Sequence, residues 1–92
     1  MYKTNELLDM AKAKLEVSSD YALAKKLGIT RGAVSNYRQG LNFLSNEVAY
    51  NIAKLLWLHP LTVVASVEYE RAVKLGDKNM QKLWFDAAQE NR

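Results

Sequence analysis

The chain has 92 residues, of which 49% are hydrophobic and 25% charged; its net charge is +3 and it has no cysteine. This length supports one core but no second module, and the hydrophobic share excludes wholesale disorder. Disulfides and thiolate metal sites are excluded, the opening MYKTNELLDMAK lacks a signal-peptide core, and no run reaches membrane-spanning length, so a cytoplasmic protein without membrane contact is expected.

Capping residues and glycines divide the chain into six helices, with no strand. Thr4 is expected to cap a first helix from Asn5 to Val17, with Leu7, Leu8, Ala11 and Leu15 on one face. Ser19 caps a second that ends at Leu27 before Gly28, and Thr30 caps a third that runs to about Gln39 and stops at Gly40. After the loop Leu41–Leu44, Ser45 caps a fourth helix whose buried stripe is Val48, Ile52, Leu55 and Leu56. Pro60 suits the first turn of a fifth helix over 60–75, preceded by His59; Gly76 ends it, and Asp77 caps a sixth over 77–89. The whole chain, 1–92, reads as one domain.

The stretch 20–39, DYALAKKLGITRGAVSNYRQ, has the spacing of a helix-turn-helix. Ala24 is small enough for a second helix to cross closely, and Gly28 suits a left-handed turn without a Cβ penalty. Val34, six residues on, pins the second helix to the first, while Leu23, Leu27, Ile29 and Tyr37 fill the other inward positions. A plain helical hairpin would tolerate many residue types at these seven places, so DNA docking is the preferred reading. The charge distribution agrees. Residues 1–40 hold seven Lys and Arg against four acids, whereas residues 41–92 balance at six against six, so the positive half carries the motif.

The run Ser19–Gly40, SDYALAKKLGITRGAVSNYRQG, resembles the lambda-repressor-like, Cro-type regulators, also called the xenobiotic-response-element family. The chain as a whole is similar to small regulators carried by bacteriophages and prophages. The resemblance implies an all-α fold, a compact five-helix DNA-binding domain, here with an additional C-terminal helix. It implies base contacts from Arg31, Gly32, Ser35 and Asn36, and DNA contacts near Gln39 and Asn42. Two positions depart from the family pattern. Asp20 stands where many relatives have glutamine, and an aspartate would repel a phosphate. Arg38 stands where many have glutamate; on the flank of its helix, it suits a phosphate or an intramolecular salt bridge better than a base.

Side-chain chemistry fits the same assignment. At about 100° per residue, Gly32, Ser35, Asn36 and Gln39 cluster opposite Val34 and Tyr37. Arg31 can donate bidentately to guanine O6 and N7, and Asn36 can pair with adenine N6 and N7. Ser35 is short enough to serve a base or a phosphate, and Gly32 lets the backbone come close. Phosphate contacts are expected from Ser19, Thr30, Arg38, Gln39, Asn42 and Ser45, with the caps Ser19, Thr30 and Ser45 also having a purely structural use.

The last two helices carry more apolar surface than a short chain needs. Leu61, Ala65, Ala72 and Leu75 form one face of the fifth helix and Val63, Val64 and Val67 another, while the sixth carries Met80, Leu83, Trp84 and Ala87, with Phe85 beside them. Either the sixth helix folds back as a cover or the surface joins two copies. A homodimer is expected to use Val63, Val67, Met80, Leu83 and Trp84, some of these serving instead in the monomer core. Trp57 is expected in the core. No enzyme reading is supported: His59, the only histidine, suits a helix boundary, and the isolated glycines make no phosphate loop, so neither a metal nor a cofactor is expected. The preferred function is a sequence-specific transcriptional regulator, a repressor, binding double-stranded DNA at an inverted repeat as a dimer. The alternative is an antitoxin or phage-encoded interaction module that engages a toxin or host protein through its C-terminal helices.

Overall fold

A computed structural model describes residues 1–91; Arg92, the last residue of the expected domain, lies outside them. Six α-helices follow one another: α1 (Thr4–Leu15), α2 (Asp20–Leu27), α3 (Arg31–Arg38), α4 (Asn46–Leu56), α5 (Pro60–Leu75) and α6 (Lys78–Glu90). The described residues contain no strand. A radius of gyration of 12.8 Å is close to that of a folded chain of this length. No helix is long and apolar enough to cross a membrane.

Local chemistry sets most boundaries. The hydroxyls of Ser19, Thr30 and Ser45 accept from the amides of Ala22, Ala33 and Val48, and the Asp77 carboxylate accepts from Met80. His59 Nδ1 accepts from Leu61 N at 3.1 Å, which makes it the cap of α5 beside Pro60. Gly28 closes α2 at φ 71°, and the Ile29 amide returns to the Ala24 carbonyl.

The beginning of the chain differs from expectation. Lys3, not Thr4, precedes α1, and Thr4 is its first helical residue. The Thr4 hydroxyl and amide both donate to Glu70 Oε1 at 2.7 Å, so its side chain ties α1 to α5. The helix also stops at Leu15, two residues short of Val17, because Glu16 turns left-handed and the Val17 amide returns to Lys12.

α1 packs against α2, α3 and α4, while α4 packs on α5 and α5 on α6. Leu7, Leu8 and Ala11 of α1 meet Leu23 and Ala24 of α2, Val34 and Tyr37 of α3 and the α4 stripe in one core. Leu27 and Ile29 pack on its margin. Fully burying each large aliphatic side chain contributes about 1.5–3 kcal/mol, so this cluster positions α3 rigidly.

The apolar surplus divides in a way the sequence left open. α6 folds back along α5 and buries Ala88 against it. Val63 and Val67, expected at a dimer interface, are core residues at 0% and 1% exposure, because their face of α5 turns toward α1 and α4. Met80 and Leu83 stay exposed and Trp84 is half-buried. Ala65 and Ala72 are buried, but Leu61 and Leu75 at the two ends of the same face are exposed. Trp57 is not core: it is 87% exposed, since the chain turns left-handed at that residue (φ 60°) and carries the indole outward.

Candidate nucleic-acid interface

α3 presents two unlike faces. Val34 and Tyr37 are buried, while Arg31, Gly32, Ser35 and Gln39 are exposed and Asn36 is half-buried at the edge. The structure therefore brings together on one side four of the four residues expected to read bases, with Gln39 at the end of the same strip. A Cβ added at Gly32 would meet only Thr30 Oγ1, at 3.9 Å, so nothing in the fold itself requires glycine there. Its lack of a side chain leaves the backbone open to close approach.

Both ends of this strip are ordered by polar contacts. At the N-terminal end, the Arg31 guanidinium carbon stands 5.8 Å from the centroid of the Tyr21 ring, and Lys25 Nζ 5.6 Å from it. Tyr21, on the first turn of α2, is thus a platform that gathers two cations without neutralising them. At the other end Gln39 Nε2 donates to Ser35 Oγ at 3.0 Å, and the Leu41 amide returns to the Asn36 carbonyl. Asn42 is exposed in the loop that follows.

Arg38 is the clearest correction to the expected phosphate contacts. Its Nε and Nη2 donate to the two oxygens of Asp20 at 3.1 and 3.0 Å, Nη2 also meets Asp9 at 2.8 Å, and Nη1 donates to the Asn5 carbonyl. A guanidinium engaged on two carboxylates has no free fork for DNA, so of the two uses open to it the intramolecular one is realised. Asp20 is completed by Lys12 Nζ at 3.3 Å. The Arg38 bonds hold the Asp20 carboxyl below the usual carboxylate range, against a smaller opposing effect of burial and with help from Lys12. Burial favours the neutral form of Arg38, but its bonds to Asp20 and Asp9 outweigh that and raise its pKa.

Ser19, Thr30 and Ser45 all serve as helix caps, which engages one hydroxyl acceptor site each. Their exposure leaves room for a phosphate at the same helix ends. Sequence reasoning missed two cations on α5. Lys74 Nζ donates to the Gly40 carbonyl at 2.8 Å, and Arg71 lies over the Phe43 ring with its guanidinium carbon 4.7 Å from the centroid. Neither position carried a sequence signal, since residues 41–92 are balanced in charge.

One further concave surface is largely apolar. A groove of about 560 Å³ lies between Tyr2, Phe43, Tyr69, Val73 and Phe85, rimmed by Lys3, Glu70 and Lys74. No group of three or more His, Cys, Asp or Glu able to hold a metal ion occurs among the described residues.

No protein-family profile matches the chain, and no solved structure matches it. Over 83 residues it is 34% identical to the uncharacterized protein Gp-c of Pseudoalteromonas phage PM2, covering 86% of this chain and 87% of that one. With that identity over most of both chains, this protein belongs to the same family as the phage protein Gp-c.

Proposed function

We propose that the protein is a sequence-specific DNA-binding regulator with a lambda-repressor-like, Cro-type helix-turn-helix, acting as a repressor in a phage or prophage setting. One observation carries this reading. Exposed Arg31, Gly32 and Ser35, with half-buried Asn36 at their edge, form a polar face of α3 outside the core, on a helix whose other face is buried. Laid in the major groove, Arg31 donates to guanine and Asn36 pairs with adenine, while the N-termini of α2 and α4 and the side chains of Gln39 and Asn42 meet phosphates. Relatedness to a phage protein supports the setting and is silent on the activity.

One such helix reads too few base pairs to select a site in a genome, so two copies act on an inverted repeat, in the cytoplasm of the host cell. Trp57 supplies the surface for the second copy. Tyr50 on α4, Trp57 immediately after that helix and Leu61 in the first turn of α5 are all exposed. Trp57 sits at the opposite end of α4 from Ser45, so joining two copies there leaves the DNA-facing end clear. Met80 and Leu83 are the remaining exposed part of the interface expected from sequence.

The experiment is fluorescence anisotropy with duplex DNA from the protein's own upstream region, at two salt concentrations, with a scrambled duplex beside it. Tighter binding to the upstream duplex, falling steeply with salt, is expected. Equal binding to both duplexes, or none to either, would overturn the reading.

A further inference from the structure

The stretch Gly40–Ser45, GLNFLS, carries no charged residue, although it links the recognition strip of α3 to the N-terminus of α4. Cations reach it from α5 instead. Lys74 Nζ donates to the Gly40 carbonyl at 2.8 Å and stands 5.5 Å from the Phe43 ring centroid. The Arg71 guanidinium lies over the same ring, at 4.7 Å. Arg71 and Lys74 are three residues apart, so they share one face of α5 and both lean on Phe43. The fold brings them there because the end of α5 returns to the start of α4 at Phe43, while the other ends of the two helices join through Trp57–His59.

From these contacts we infer that Arg71 and Lys74 form a cationic clamp on the DNA backbone, beside the C-terminal end of α3. The inference rests on the DNA-binding reading of that helix. Phe43 orients both cations without removing their charge, as a ring face attracts a cation but neutralises nothing. The Gly40 carbonyl is a neutral acceptor, so Lys74 keeps its full charge for a phosphate. Of the nearby acids, Glu70 is engaged through Oε1 by the Thr4 amide and hydroxyl, and Glu68 pairs with Arg71 at its Nε, 3.6 Å away. The Nη pair of Arg71, on a side chain that is 44% exposed, is open to the two-pronged contact a phosphate offers.

Phosphate contacts carry no sequence information, so the test uses a mixed-sequence duplex of about 20 base pairs and needs no known operator. Anisotropy gives the slope of log affinity against log salt between about 50 and 200 mM. Each phosphate contact contributes about 0.9 to that slope, so the double variant Arg71→Gln/Lys74→Gln should flatten it by about 1.8. Affinity near 0.1 M salt should fall by about tenfold to a hundredfold. Arg71→Lys and Lys74→Arg, which keep the charge, should keep the slope. Lys54→Gln, which removes a charge near the far end of α4, should leave it nearly unchanged. A wild-type slope unaltered in the double variant would overturn the clamp and leave the DNA-binding reading standing. Equal flattening by Lys54→Gln would overturn it as well, by showing a general effect of net charge. Failure of the wild type to bind any duplex would remove the DNA-binding reading itself.

Discussion

Arg38 grips Asp20 through two hydrogen bonds, Nε to Oδ2 at 3.1 Å and Nη2 to Oδ1 at 3.0 Å, and so fastens the last turn of α3 to the first residue of α2. Its third carboxylate contact, with Asp9, ties both helices to α1. The pair does from the side what Gly28 and Ala24 do at the turn: it fixes the angle at which α3 is presented. Arg38→Ala should therefore destabilise the fold by about 1 kcal/mol, since the pair is only partly shielded from solvent. It should also leave the salt slope of DNA binding unchanged. Thermal melting together with that slope checks this; a stable variant with a flatter slope would return Arg38 to the phosphate contacts.

The same pair sets a pH response. The folded Asp20 pKa is depressed, so its stabilisation is fully present above the unfolded value of about 4 and is lost as pH falls through the folded pKa. Melting temperature should be insensitive to Asp20 between about pH 5 and 8 and should show an Asp20-dependent drop only below about pH 4. In Asp20→Asn that component should vanish, with lower stability already at neutral pH. An Asp20-dependent step near neutral pH would contradict the assignment.

Arg31→Ala and Asn36→Ala should each lower affinity for a specific site by about 1–3 kcal/mol, with much smaller changes on a scrambled duplex. Arg31 is exposed and its guanidinium stands over the Tyr21 ring, outside the core, so its loss should not shift the melting temperature noticeably. A large drop in melting temperature for either variant would move that side chain from recognition to packing.

Trp57 gives a prediction of opposite sign for stability and assembly. Its left-handed backbone costs about 1–2 kcal/mol that glycine would not incur, and at 87% exposure the indole returns little to the monomer. Gly28 and Gly76 close α2 and α5 in the same conformation with glycine. Trp57→Gly should therefore raise monomer stability by about 1 kcal/mol while weakening self-association at least tenfold by sedimentation equilibrium. Leu83→Ser should change association little. The reverse pattern would move the interface to α6.

What was legible in the sequence was local. Caps at Ser19, Thr30, Ser45 and Asp77, and the turn at Gly28, depend on neighbours within a few residues, so propensity and spacing found them. The face of α3 followed from helical phase alone. Several misreadings involve distant partners. Thr4 looked like a cap because Glu70, which takes its hydroxyl, is 66 residues away. Lys74 joins Gly40 across 34 residues, and nothing in a charge-balanced stretch announces that. Periodicity marked two apolar faces on α5 but could not say which would meet the core, so the share of the expected interface residues that belongs to the monomer core stayed open; Val63 and Val67 belong to it. Trp57 was read as core from its hydrophobicity; the left-handed turn that throws it outward is a property of the chain reversal.

Specific recognition by α3 is tested most directly by selecting duplexes from a random-sequence pool with the intact protein. The expected result is enrichment of an inverted repeat whose half-sites lie one helical turn apart, about 10 base pairs centre to centre. Arg31→Ala should change the preferred bases within each half-site. A pool that stays random after repeated rounds, or an enriched motif indifferent to Arg31, would contradict it.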